Sequence, residues 1–517
     1  MFLVPPLVLL CIWFLDQRQD QHAVLRNFPL LGRIRYLLEH IGPELRQYLF
    51  DGDREGKPFS RDEYGTVVFA GKYLKTLVSF GSKRNFEAPG WYLRNALLAT
   101  LADDVATVLE PKIATHRYVI DDEGLFSRRE RIETVEVSPW TLADPHKIVI
   151  GADLDHPWTL SGQVGMSAMS YGALGRNAIQ ALSHGLADAT GSWMNTGEGG
   201  ISPHHLVGGG DVVYQIGPGM FGVRTLSGEW DWNEFVKKAA IPELRGFELK
   251  IHQGAKIRGG HVEGSKVNEE IAALRGVPVG QTIDSPNRFA MFGEVDDILD
   301  WVARMRAESG KPVGLKVVVG GPGSLDELAA AIAWRGNGPD WLTVDGGEGG
   351  SGATYREMAD TMGLPIRSGL IEADDALRRA GVRDRVRIFA SGKLFSPDAI
   401  ALALCTGADA VNVARGLMIS VGCIQAQKCH TNACPVGVAT TDEKFMRGLV
   451  VQEKRWRVLN YVVTLRAGLN SLAAAAGLTS PTGFRRHHAI YKDAHGRSRS
   501  AAELFPVAEA GDATPTG

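Results

Sequence analysis

Three of the five cysteines in this chain fall within CIQAQKCHTNACPVGVATTD, residues 423 to 442. Cys-x5-Cys-x4-Cys-Pro is closer to iron–sulfur ligation than to the paired C-x2-C of structural zinc. Three ligands rather than four point to a three-iron, [3Fe-4S] cluster on Cys423, Cys429 and Cys434. A Cys3His zinc site that adds His430 is the alternative. Cys405, eighteen residues earlier, sits in an apolar stretch and reads as core. Cys11 lies in an apolar run, where a thiol packs as a small hydrophobe. Such a set is not the even, dispersed framework of a secreted disulfide protein, so a reducing compartment is expected.

Phosphate chemistry is offered by two turns, Ala390-Ser391-Gly392-Lys393 and Ala414-Arg415-Gly416. Backbone N–H groups in such turns can cradle an anion, with Lys393 and Arg415 supplying balancing charge. Taken singly, each is equally a plain helix-start turn. FMN suits the pair better than a dinucleotide, because no G-x-G-x-x-G opens a strand–helix unit with an acid downstream. Lys250 and Lys316 end apolar runs, where a solvated lysine has no obvious reason to be. Each either snorkels out of the rim or acts inside as a cation beside a reduced flavin or a clamp for a substrate carboxylate.

These groups need a scaffold, and from about residue 160 a rhythm of apolar run, polar or glycine-rich turn and helical segment supplies one. The runs end in SAMSYG (167 to 172), MNTGEGG (194 to 200), LKIHQGAK (249 to 256), TIDSP (282 to 286), LKVVVGG (315 to 321), LTVDGGEGG (342 to 350), IFASGK (388 to 393) and VNVARG (411 to 416). Helical spacing follows over Val295 to Ala307, Leu325 to Trp334 and Ser396 to Cys405. Eight such units predict a closed (β/α)8 TIM barrel, with an open doubly wound sheet as the alternative. The polar turns fall at the strand C-terminal ends, where barrel enzymes build their sites.

Around the barrel, residues 160–440 including the cysteine loop 423–434, the predicted divisions are a 17–159 N-terminal subdomain, 441–478 C-terminal helices and a 479–517 polar, weakly ordered tail. With 56 basic and 59 acidic residues and a net charge of -3, the chain lacks the basic excess of a nucleic-acid binder. MFLVPPLVLLCIWFL carries no charge before Asp16. It is short of the ~20 residues of a straight span and lacks signal-peptide flanks. Arg18, Arg26, Arg33 and Arg35 follow it, so residues 1–16 are expected to anchor the protein with its body on the cytoplasmic face of a membrane. A helix packed on the protein itself or a partner is the alternative.

MSAMSYGAL, NTGEGG, HQGAK, DGGEGGSGA, ASGK and above all GCIQAQKCHTNACPVGVAT, in this order, resemble the synthase domain of the FMN-dependent glutamate synthases, in a short form with an N-terminal apolar segment. The resemblance covers about residues 160 to 445 and, more weakly, HAVLRNFPLLGRIRYLLEHIGPELRQYLF. It implies a barrel holding FMN, a 2-oxoglutarate site above it, and a [3Fe-4S] cluster feeding electrons to the flavin. By that likeness Ala168, Met169 and Ser170 lie along the flavin ring. Asn195 and Lys250 stand at its polar edge, with Lys316, Gly349 and Gly350 also beside the cofactor. Ser391, Gly392, Lys393, Ala414, Arg415 and Gly416 surround its phosphate, and Glu198, Gln253 and Lys256 face the oxo-acid and the incoming nitrogen.

Two segments depart from the family pattern. K-P-G-x-G-G-x-L-P-G reads Lys256-Ile-Arg-Gly-Gly-His-Val-Glu-Gly, and S-P-P-x-H reads Ser285-Pro286-Asn287-Arg288. Both belong to the substrate side. No glutaminase-sized region precedes the barrel, Phe2 follows Met1, and no NAD(P)H domain is recognisable. The expected partners are therefore a 2-oxo acid, ammonia or an amine, a separate glutaminase, a ferredoxin-like donor or reductase subunit, and, as a further option, a second copy in a homo-oligomer. The expected reaction is reductive amination of 2-oxoglutarate. An N-methylglutamate synthase-like subunit and a membrane-tethered electron-transfer module are the alternatives.

Overall fold

The computed structural model describes residues 4–124, 128–254 and 259–511, and the chain divides into two compact units, residues 1–66 and 67–517. Eight strands of the larger unit close into a parallel barrel. They are β1 (Val164–Met166), β2 (Trp193–Asn195), β3 (Asp211–Ile216), β4 (Leu244–Lys250), β5 (Val313–Val317), β6 (Trp341–Asp345), β7 (Arg387–Ser391) and β8 (Ala410–Val413). β8 pairs back onto β1, so the sheet is a (β/α)8 TIM barrel and not an open doubly wound sheet.

Seven of the eight expected runs are barrel strands. TIDSP is not: it contributes only Ile283–Asp284, which pairs antiparallel with His261–Val262 outside the barrel. Its place belongs to DVVYQI, residues 211 to 216, a run buried on both faces as parallel strands usually are. That run ends in Gly217-Pro218-Gly219, with no charged residue to draw attention to it. LKIHQGAK is therefore the fourth strand rather than the third, and Lys250 and Lys316 become register partners on adjacent strands.

Side chains alternate across a strand, so every second residue points into the barrel. At the lower end Trp193 and Trp341 flank Phe389, with ring centroids 5.4 Å and 5.8 Å from it. Trp158, on the hairpin Ile148–Ile150/Trp158–Leu160, packs edge-on against all three. Gly165 and Gly314 make room for this layer, since a Cβ at either would overlap the indole of Trp193 or Trp341. Truncating aromatics buried this deeply costs about 3–5 kcal/mol each. Above the rings the interior turns polar: Ser167, Asn195, Gln215, Glu248, Thr343, Ser391 and Asn412 are all buried.

Outside the sheet lie α1 (Arg176–Asp188), α2 (Pro203–Leu206), α3 (Trp232–Ala239), α4 (Val295–Ser309), α5 (Asp326–Arg335), α6 (Ile366–Arg379), α7 (Pro397–Cys405) and α8 (Val451–Ala475). The Asp231 carboxylate caps α3 by accepting from the N–H groups of Asn233 and Glu234. α8 packs between α7 and α1 and completes the ring. Its buried Arg466 donates to the carbonyls of Pro139, Ala189 and Thr190 and to Ser192 Oγ.

Both ends of the chain differ from expectation. In place of a polar tail, Ala489–Lys492 pairs with Gly90–Leu93 and Ser498–Ser500 in a three-stranded sheet, with Phe484 and Ala501 buried. A few apolar residues spaced among polar ones were enough to dock it. At the other end Val4–Arg18 is a helix of 15 residues, about 22 Å against a hydrocarbon core of about 30 Å. Asp16 near its end is buried, 2.6 Å from Arg33 and accepting the Leu30 N–H at 3.0 Å. The Arg33 hydrogen bond holds this carboxyl below its ordinary value. Among the described residues no helix is long and apolar enough to cross a membrane, which overturns the anchor at residues 1–16 and the membrane placement that rested on it.

Candidate active site

The upper rim of the barrel gathers two ion pairs. Lys250 Nζ, at the last residue of β4, lies 2.7 Å from Glu198 Oε1 in the turn after β2. It also donates to Gln253 Oε1 at 3.0 Å, and the Gln253 amide donates to the Gly350 carbonyl at 3.3 Å. The Glu198 side chain occupies a slot that depends on Gly217 and Gly260, where a Cβ would overlap its carboxylate. One strand further, Lys316 Nζ lies 3.1 Å from Asp345 Oδ2 at the end of β6, and Asp345 also accepts the Gly254 N–H at 2.9 Å. Lys250 is 2% exposed and Lys316 3%, so neither snorkels outward. Ammonium groups this deep require partners of opposite charge.

Directly beneath them is a carboxylate that the motifs did not reveal. Glu248 Oε1 accepts from Asn195 Nδ2 at 2.8 Å and Gln215 Nε2 at 2.7 Å, and Oε2 accepts from the Trp341 indole and the Thr343 hydroxyl. Strand alternation was the available signal: Glu248-x-Lys250 and Thr343-x-Asp345 each put two polar residues on one face. The network fixes the Asn195 amide, whose Oδ1 accepts the Gly197 N–H at 3.0 Å. Gly197 has φ +66 and lies against Ser170, so the turns after β1 and β2 touch where a side chain would not fit. Met169 is buried in the first of these turns.

The expected phosphate residues assemble on the neighbouring side of the rim. Ser391 Oγ, ending β7, is 3.1 Å from the Oγ of Ser167, the first residue after β1. Gly392 and Lys393 both have positive φ. Ala414 caps the short helix Arg415–Ser420, in which a Cβ at Gly416 would overlap the Tyr461 hydroxyl. Arg415 Nη2 donates to the Glu348 carbonyl at 2.6 Å, and its side chain runs over Gly350. The turns after β6, β7 and β8 thus converge, with Gly349 against Gly346 and Gly254. Lys256 lies outside the described residues.

Cys423, Cys429 and Cys434 line one pocket, with Met418, Ile424 and Val438 among its walls. Burial raises the Cys423 thiol to about 11, with the other two thiols adding to the shift and the Gln425 N–H opposing it. Burial also raises Cys429. Among the described residues no three His, Cys, Asp or Glu side chains converge on one point as a single ion requires. An apolar pocket with three separated thiols fits a cluster, in which several irons share the ligands. Cys405 is buried in α7, where burial raises its thiol to about 12.

The departures from the family pattern meet in the hairpin beside Glu198. His261 Nδ1 is 2.7 Å from Asp284 Oδ1, and Nε2 is 3.2 Å from Glu263 Oε1. Burial alone would lower this imidazole, but the hydrogen bonds to Asp284 and Glu263 outweigh it and hold the pKa above its ordinary value. A pKa raised on folding stabilises the hairpin fully below the unfolded value near 6.5, and the effect is lost as pH rises through the folded value. Hydrogen exchange in the hairpin, corrected for its intrinsic rate, is expected to quicken as pH rises from about 6.5 through the raised folded value. His261→Gln should remove that pH dependence; an unchanged profile in the variant would show that His261 does not hold the hairpin.

The model of the conserved region in glutamate synthase matches residues 109–479. Over 494 residues the chain is 50% identical to the glutamate synthase large subunit-like protein YerD of Bacillus subtilis (strain 168), covering 95% of this chain and 94% of that one. It is 29% identical over 369 residues to the archaeal glutamate synthase (NADPH) of Methanocaldococcus jannaschii, covering 71% and 68% of the two chains. A crystal structure of mandelate oxidase with 3,3-difluoro-2-hydroxy-3-phenylpropionic acid aligns with a TM-score of 0.42 and 14% identity over 85% of this chain and 95% of that one. Matched through barrel and cysteine loop by one family model, and along nearly its whole length by a relative with half its residues identical, this chain belongs to the glutamate synthase family of oxidoreductases.

Proposed function

We propose that this protein carries out the reductive amination of a 2-oxo acid, 2-oxoglutarate first, using FMN and a [3Fe-4S] cluster. The observation that carries the reading is the rim itself: two buried lysines, each paired with a carboxylate, above a polar barrel interior, in a chain that also gathers a set of glycine turns and a three-thiol pocket. When bound, the flavin supplies hydride transfer and the cluster supplies single electrons.

The chain's own residues prepare the substrate. Lys250 and Lys316 provide the positive charge that holds carboxylates in place. Glu198 takes a proton from ammonium, and the ammonia so freed adds to the oxo carbon, after which water leaves to give an imine. Gln253, fixed between Lys250 and Gly350, orients the oxo oxygen. The turns at Ser391–Lys393 and Ala414–Gly416 hold the FMN phosphate, while Ala168, Met169, Ser170, Asn195, Gly349 and Gly350 border its ring. Ammonia comes from solution or a separate glutaminase, and electrons come from an external carrier or reductase subunit.

The test is reoxidation of dithionite-reduced protein. 2-Oxoglutarate with ammonium is expected to restore the oxidised flavin spectrum. Exchange of an added amine onto glutamate with release of ammonia, a redox-neutral turnover, in the absence of reoxidation by 2-oxoglutarate and ammonium would assign the protein to amine transfer instead, and neither reaction would leave electron transfer alone.

A further inference from the structure

Lys266 is 3% exposed, and the chemistry at the rim does not use it. Its Nζ donates to the Cys429 carbonyl and the Ala173 carbonyl, both at 2.9 Å. It therefore spans from the thiol loop to the turn that follows β1. The backbone around it is stapled to the same loop: Asn432 Nδ2 donates to the Ser265 carbonyl at 2.8 Å, and Thr441 Oγ1 donates to the Lys266 carbonyl at 3.1 Å. Asn432 Oδ1 in turn accepts from the Thr440 hydroxyl and from the N–H and hydroxyl of Thr441.

Among the described residues no Asp or Glu pairs with this ammonium, which burial and Arg275 disfavour, and its contact with the Cys429 carbonyl sets it beside the thiol loop. Burying a cation against carbonyls alone is costly. Three thiolates carrying a cluster would supply the missing negative charge.

We propose that Lys266 is a positioning residue that ties the thiol loop to the turn after β1 and, as an ammonium, places positive charge beside the cluster, raising its reduction potential. The inference rests on the cluster reading above. One-electron reduction by the external donor adds one negative charge to the cluster and needs no proton from Lys266. A neighbouring ammonium therefore favours the reduced form and eases entry of that electron.

The test compares wild type, Lys266→Gln and Lys266→Arg by iron content and by redox titration of the cluster followed by electron paramagnetic resonance. Lys266→Gln is expected to disfavour the reduced cluster at least tenfold, a fall of 59 mV or more for one electron, while Lys266→Arg stays within threefold of wild type. If Lys266→Gln fails to retain iron and Lys266→Arg retains it, the charge is required for assembly and the proposal stands. Wild-type iron and an unchanged potential in Lys266→Gln overturn it. So does loss of iron in both variants, which would make the lysine's shape and not its charge the requirement. A wild-type protein without iron would instead overturn the cluster reading and this proposal together.

Discussion

Serine in place of Cys429 is expected to strip the protein of iron while leaving its flavin in place. The three thiols share one apolar pocket, and a hydroxyl of nearly the same size cannot replace a thiolate as a soft ligand. Iron should fall from about three per chain to near zero, with loss of the broad visible absorption of the cluster. Photometric reduction of the flavin by a one-electron donor should slow sharply, whereas dithionite should still reach it. The flavin should survive because its turns come from β1, β6, β7 and β8, each held by barrel hydrogen bonds independent of the thiols. Stoichiometric zinc in the wild type, with no iron, would defeat the cluster reading.

Glu198→Gln is expected to slow substrate-driven reoxidation of the flavin by ~100-fold, the lower end of general-base contributions. The amide fits the slot between Gly217 and Gly260 and can still accept from Lys250, so shape and FMN content should be kept. What disappears is the group that takes a proton as the imine forms. Dithionite reduction should remain normal, which separates this outcome from a damaged flavin site. Near-wild-type reoxidation with 2-oxoglutarate and ammonium both saturating would remove Glu198 from the mechanism and leave it a turn acid paired with Lys250.

Residues set in short contiguous motifs were the part of the candidate site easiest to pick out in the sequence. The cysteine loop, the ASGK and ARG turns, and the acid of NTGEGG each sit within a few residues of the strand that presents them. Residues placed by alternation were harder to see. Glu248 and Asp345 lie within apolar runs, and only their two-residue offsets from Lys250 and Thr343 reveal that they face inward. Counting eight strands gave the right barrel with one wrong member, because Ile283–Asp284 is too short to cross a barrel and DVVYQI lacks polar punctuation. That exchange hid the adjacency of Lys250 and Lys316. Lys266 stayed hidden for a different reason: its partners at Ala173 and Cys429 are distant in sequence, and only folding brings them together.

The aromatic layer of Trp158, Trp193, Trp341 and Phe389 fills the lower end of this barrel. In the proposed reaction, oxo-acid, nitrogen donor and finished amino acid would all pass the opposite rim, so an outgoing product stands in the path of the next reactant. Product inhibition should then be competitive with the oxo-acid, and a nitrogen-supplying partner would deliver over the rim rather than through the aromatic floor.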